Sequence, residues 1–243
     1  GKDHASARYI FTIMSPLTRL IYHPADDPLL AYEEDDGQKI EPAWYIPIIP
    51  MVLVNGADGI GTGWSTKIYN HNPRDLINNI RLMLAKSEPK TLNPWYKNFR
   101  GQIEYVSDGR YICSGNIQIL DGNRIEISEL PIGTWTQTYK ENVLEALSNS
   151  TEKVKAIISD YREYHTDTTV RFVITLAPGE FEKLYAEEGG FHRVLKLTSS
   201  ISTNQMHGFD KADCLRRFPT AVDILKEFYP LRLEFYQKRK DYL

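Results

Sequence analysis

Cysteine is almost missing: Cys113 and Cys214 are the only two in 243 residues, and they lie far apart in the chain. No disulfide framework or thiolate metal site can be built from such spacing, and two free thiols in a reducing compartment are expected. Histidine is sparse too, six in all with no His-x-x-x-His pair, and acidic runs such as Glu33-Glu34-Asp35-Asp36 lack spaced ligands. No metal site is therefore read here. The Gly-x-x-x-x-Gly-Lys-Ser/Thr pattern is absent, so nucleotide binding is not encoded in this stretch of chain. No apolar run approaches the ~18 residues that a membrane span needs. Charge of one sign is lacking as well, with 29 Lys+Arg against 32 Asp+Glu and a net charge of −3. That excludes a wholesale polybasic binder but leaves room for a basic face.

What is present is a chain that can fold. Hydrophobic residues make up 42% and aromatics 12%, including 15 Tyr, too many for a disordered chain. The length suits one large domain or two small ones. The chain opens Gly1-Lys2-Asp3 without Met and closes on Gln237-Lys238-Arg239-Lys240-Asp241-Tyr242-Leu243 without a helix stop, so it reads as a piece of a longer protein.

Ser15-Pro16 predicts a helix start, with Ser as cap and Pro at the first helical position. The acidic stretch around 33–37 reads as a solvated loop. The apolar run 44–54 is broken by Pro47 and Pro50, which predicts an irregular buried connector and a short strand at 51–54. Asn72-Pro73-Arg74-Asp75 starts a helix that must end before Pro89. From 101 to 128, alternating apolar residues punctuated by Asp108-Gly109 and Asp121-Gly122 predict an antiparallel meander with one buried face. A helix near 137–148, a strand over 169–174 and a helix around 178–188 follow. Thr220-Ala221-Val222-Asp223 has the form of a capping box ahead of a last helix, with Pro230 as an expected kink. The fold class is α+β.

Two segments carry possible chemistry. In Gly56-Ala57-Asp58-Gly59-Ile60-Gly61-Thr62-Gly63, the glycines do not form a dinucleotide loop. They suit tight turns needing positive φ. They also suit a backbone that presents Ile60 as an apolar wedge able to unstack base pairs. In Ala7-Arg8-Tyr9 a fixed cation sits beside a phenol. Such a pair is common by chance, but a tyrosine oxygen can attack a phosphodiester while a guanidinium stabilises the developing phosphoryl charge.

The segment Lys2-Asp3-His4-Ala5-Ser6-Ala7-Arg8-Tyr9-Ile10-Phe11-Thr12 resembles the active-site tyrosine segment of eukaryotic type II DNA topoisomerases. The run from Glu41-Pro42-Ala43-Trp44 to Gly63-Trp64-Ser65 is similar to that family's next signature. So are Glu126–Pro131, Thr134-Trp135-Thr136-Gln137-Thr138-Tyr139-Lys140 and Asp160–Thr169. The resemblance spans essentially the whole chain, in the same order. It implies the end of a winged-helix domain over 1–45, an α/β tower domain with antiparallel sheet over 46–219, and the start of a coiled-coil helix over 220–243. Tyr9 would become linked to a 5′ phosphate, with Arg8 as transition-state stabiliser, and Ile60 would intercalate in duplex DNA. Trp135 and the stretch Lys196, Leu197, Thr198, Ser199, Ser200, Ile201, Ser202, Thr203, Asn204 and Gln205 would contact DNA. Mg2+ and ATP would serve the whole enzyme from domains outside this chain. A nuclear homodimer acting on double-stranded DNA, with no membrane partner, is the implied setting.

One reading of the residues points the same way. Between 192 and 217, Arg193, Lys196, Lys211, Arg216 and Arg217 meet only Asp210 and Asp213, a local excess of +3. Phosphate contact needs such an excess. Against a catalytic fragment stand two alternatives: a DNA-binding and bending module with no chemistry of its own, and an RNA-binding or cytoskeletal interaction protein.

Overall fold

The structure is a computed structural model that describes residues 4–150 and 155–243. Gly1-Lys2-Asp3, at the head of the tyrosine segment, lie outside the described residues. The fold is α+β with every strand pair antiparallel. The chain forms two compact units that alternate along the sequence. One holds the described residues up to Ile10 together with Asn98–Ser202; the other holds Phe11–Lys97 and Thr203–Leu243.

The first unit is built on two sheets. Strands Asn116–Asp121, Arg124–Glu129, Phe172–Leu176 and Ile158–Glu163 form one, in that order; Thr198–Ser202, Arg110–Ser114 and Gln102–Ser107 form the other. Register pairs Phe172 with Ile127 and Ile174 with Ile125, so all four side chains enter one face, where they are fully buried. Tyr139, Leu144, Leu184, Leu195 and Leu197 complete that core. The strands expected over 101–128 are all present, but they are not a single meander. At Gly115 the chain passes from one sheet to the other, and a Cβ there would lie 2.3 Å from the Glu129 carbonyl oxygen. Of the alternating apolar residues, Tyr105 and Ile119 are exposed, and Tyr111 and Cys113 take inner positions. The helix near 137–148 runs from Thr136–Tyr139 through a π-turn at Lys140–Leu144 into Glu145–Ser148.

The second unit packs three hairpins and two longer helices around Leu53, Ile68, Leu76, Leu92, Met206, Phe218 and Leu225. Helix Pro73–Leu84 is capped as its sequence predicts, with the Asn72 side chain accepting from Arg74 N at 3.0 Å. Helix Ala221–Tyr242 starts on a two-way capping box between Thr220 and Asp223 and continues through Pro230. Three expectations fail here. The helix after Ser15-Pro16 begins only at Thr18, because Ser15 Oγ accepts from Leu17 N and closes a separate turn first. The acidic stretch is a hairpin, Tyr32–Asp35 with Gln38–Pro42, reversed through left-handed Asp36 and Gly37. The segment after Pro50 is a helix, Met51–Asn55, for which proline at the entry is favourable rather than disruptive. Both cysteines are free, Cys113 buried and Cys214 exposed.

A buried ion cluster ties the early and late parts of the second unit together. Asp26, 2% exposed, accepts from Arg232 Nη1 at 2.8 Å and from Arg239 Nη2 at 2.6 Å. The Tyr236 ring lies against both guanidinium groups, 4.0 Å from that of Arg232 and 5.1 Å from that of Arg239. Burial alone would raise the Asp26 carboxyl, but the bonds from Arg239 and Arg232 outweigh it and hold it below the ordinary aspartate range.

Candidate nucleic-acid interface

A short 3-10 turn, Ala7–Tyr9, fixes the two residues singled out near the N-terminus, with Tyr9 N donating to Ser6 O at 3.0 Å. Tyr9 is 77% exposed, and the Arg8 guanidinium lies 5.4 Å from its ring centroid. Among the described residues no carboxylate pairs with Arg8, so its charge is available to an external anion.

The glycine-rich segment is a β-hairpin, Ala57–Gly61 paired with Trp64–Ile68. Its reversal is the tight turn that the glycines predict. Gly63, at φ +79°, makes the reversal that a tight turn requires. Gly61 lets the Trp64 ring fold against the backbone, since a Cβ there would lie 2.5 Å from the ring. Ile60, beside this turn, is 95% exposed, while nothing stands within 4 Å of where a Cβ would be on Gly59. The base of the hairpin is anchored: Thr66 Oγ1 donates to His207 O at 2.7 Å and accepts from His207 N at 3.1 Å. Lys67 N donates to Gln205 O at 2.8 Å, and the Trp64 ring meets Phe209 edge to face. A free apolar tip on a braced stem is the outcome.

Trp135 is the half-exposed cap residue of the helix at Thr136–Tyr139 and follows a turn through Gly133, whose φ of +84° suits glycine. The stretch 196–205 divides. Leu197 and Ile201 are core residues at 0% and 4% exposure, so their side chains are not free to meet a duplex, contrary to the expectation for the whole run. Their burial follows from strand alternation in Thr198–Ser202, paired with Arg110–Ser114, which turns Thr198, Ser200 and Ser202 to the outer side. Lys196 is exposed, Ser199 and Thr203 are half-buried, and Asn204 and Gln205 are exposed.

The basic excess is smaller than the local count. Arg193 pairs with Glu187, and Arg216 pairs with Glu227 at 2.8 Å, both partners coming from outside the 192–217 window. Arg193 and Lys196 belong to the first unit, while Lys211, Arg216 and Arg217 belong to the second. Sequence reasoning also missed Asp26, Arg232 and Arg239, whose only signal was a pair of arginines seven apart on a helix. Among the described residues no group of three or more His, Cys, Asp or Glu side chains is placed to hold a metal ion, and no helix is long and apolar enough to cross a membrane.

Comparison with known proteins agrees in every direction. The DNA topoisomerase 2 of Drosophila melanogaster is 76% identical over 232 residues, 96% of this chain and 16% of that protein. The human DNA topoisomerase 2-alpha is 53% identical over 243 residues, all of this chain and 16% of its own length. A crystal structure of the Plasmodium falciparum topoisomerase II DNA-binding, cleavage and re-ligation domain superposes with a TM-score of 0.90 at 45% identity, covering all of this chain and 32% of that one. The chain thus spans about a sixth of the curated relatives it matches. The family model for the DNA gyrase/topoisomerase IV A-subunit matches residues 1–243 from end to end, and to that family the chain belongs.

Proposed function

We propose that this chain is the tyrosine-bearing part of the breakage–reunion core of a type II DNA topoisomerase. In the whole protein it would cut both strands of a duplex, pass a second duplex through the gap and reseal it. The observation that carries this reading is an exposed Tyr9 beside an Arg8 that no described carboxylate neutralises, in a chain of this family. The Tyr9 oxygen attacks a backbone phosphorus. The new bond joins it to the 5′ phosphate as the bond to the 3′ oxygen breaks; the phenol gives up its proton, and the departing 3′ oxygen takes one. Reversal reseals the strand, since the phosphotyrosyl ester conserves the bond. Arg8 offsets charge growing on the phosphoryl oxygens.

Around this step, Ile60 acts as the wedge that bends the duplex, and Trp135 with the outward side chains of 196–205 supports its backbone. Among the described residues no cluster of side chains is placed to hold Mg2+. Mg2+ and ATP belong, on this reading, to other parts of the whole protein, which works as a homodimer in the nucleus. Residues 1–45 would then close a winged-helix domain, 46–219 form the tower and 220–243 begin the coiled coil.

The test is trapping by denaturant on the full-length protein. Tyr9→Phe is expected to abolish the covalent DNA adduct while DNA affinity stays within about threefold, since one hydroxyl contributes roughly one hydrogen bond. Adduct that persists in Tyr9→Phe rules this tyrosine out.

A further inference from the structure

Lys196 has a left-handed backbone, φ +49°, an uncommon conformation for a residue with a Cβ. Its neighbours explain the choice. Leu195 and Leu197 are both fully buried, so the reversal at Lys196 admits a leucine to the core on either side and leaves the lysine exposed. Such a residue relaxes to an ordinary conformation unless its flanks are held. Two bonds hold them, and a third fixes the residue that makes one of the two. Gly115 N donates to Leu197 O at 2.8 Å, His192 Nε2 donates to Gly115 O at 3.1 Å, and the Tyr139 hydroxyl donates to Leu195 O at 2.7 Å.

The Tyr139 bond comes from a helix, whereas Gly115 lies between the strands Arg110–Ser114 and Asn116–Asp121. Tyr139 sits one turn into the helix that Trp135 caps, its own N–H donating to Trp135 O at 2.8 Å. Its side chain is 2% exposed and packs on Phe172, with ring centroids 5.7 Å apart. Burial pushes the phenol's pKa well up, so the hydroxyl remains a donor at any physiological pH.

We infer that Tyr139 is a positioning residue for DNA contact: its hydroxyl holds the Leu195 carbonyl, keeps Lys196 in its left-handed presentation, and keys that lysine to Trp135 one helical turn away. The inference rests on the reading of Lys196 as a phosphate contact, and the experiment separates the two. Duplex affinity is measured by fluorescence anisotropy for the full-length protein, for Tyr139→Phe, for Lys196→Ala and for the double variant. If Lys196 touches a phosphate, Lys196→Ala weakens binding about eightfold at 0.1 M salt, from a salt slope of about 0.9 per contact. Tyr139→Phe, which keeps the ring and loses only the donor, is expected to weaken binding about threefold in the wild-type background and not at all beside Lys196→Ala.

An unchanged affinity in Lys196→Ala removes the phosphate contact itself. A normal effect of Lys196→Ala with none from Tyr139→Phe overturns the positioning role. The same threefold loss in both backgrounds overturns it too, because it makes Tyr139 a support of the fold with no route through Lys196. Should Tyr139→Phe unfold below the assay temperature, the same cycle is run below its melting temperature, with the same expectation.

Discussion

Ile60 contributes almost nothing to the core, since its side chain is nearly all in solvent and its loop neighbours are glycines. Truncation to alanine should therefore change unfolding free energy by less than about 0.5 kcal/mol, the range of ordinary surface substitutions. A buried isoleucine would lose ~2–5 kcal/mol. The wedge role makes a separate claim. In the full-length protein Ile60→Ala should reduce DNA bending, read as end-to-end distance by energy transfer, and cleavage should fall with it. An unaltered bend in a stably folded variant would end the wedge reading. The hairpin that carries Ile60 was legible only as a choice between turn and wedge, because glycine spacing signals φ but says nothing about what braces the stem. The bracing groups, Thr66 with His207 and Trp64 with Phe209, come from segments 141 and 145 residues apart.

Among the elements, the C-terminal helix depends on one carboxylate. Asp26→Asn would leave Arg232 and Arg239 facing a neutral amide in a buried site, and breaking such a pair from one side costs about 3–5 kcal/mol. The pH dependence has a definite sign. The folded Asp26 carboxyl lies below its unfolded value, near 3.9, so its contribution is complete above about pH 5 and is lost as pH falls through the lower folded value. The stability difference between wild type and Asp26→Asn, followed by denaturant unfolding, should hold steady from about pH 5 to 7 and shrink below about pH 4. A difference that grows as pH falls would contradict the cluster. Local signals found the starts of the two longer helices: Asn72 and Thr220 cap as their sequences imply. They failed where a residue's partner is remote. Leu197 and Ile201 look available until Arg110–Ser114 sets their face.

Taken as a molecule, the chain is acidic, with a net charge of −3, so any affinity for a polyanion must be local. The two cations nearest the expected contact stretch are not equivalent. Arg193 already has Glu187, whereas Lys196 stands exposed. In the full-length protein, Lys196→Ala should flatten the slope of log affinity against log salt by about 0.9, and Arg193→Ala by clearly less. Equal flattening would mean that Glu187 releases Arg193 on binding; no flattening in either would remove the face from the interface.

The order of the two units along the chain carries a consequence for how the protein is made. Leu53, Ile68, Leu76 and Leu92 leave the ribosome well before Met206, Phe218 and Leu225, the partners that bury them. The whole of Asn98–Ser202 comes between. At about 5–20 residues per second that interval lasts roughly 5–20 s. During it the sheet unit can finish its own core from contiguous chain, while the earlier half of the other unit waits with its apolar side chains uncovered. Newly made chains are therefore most exposed to misassociation in this window, and a holding chaperone would find its binding sites between Phe11 and Lys97.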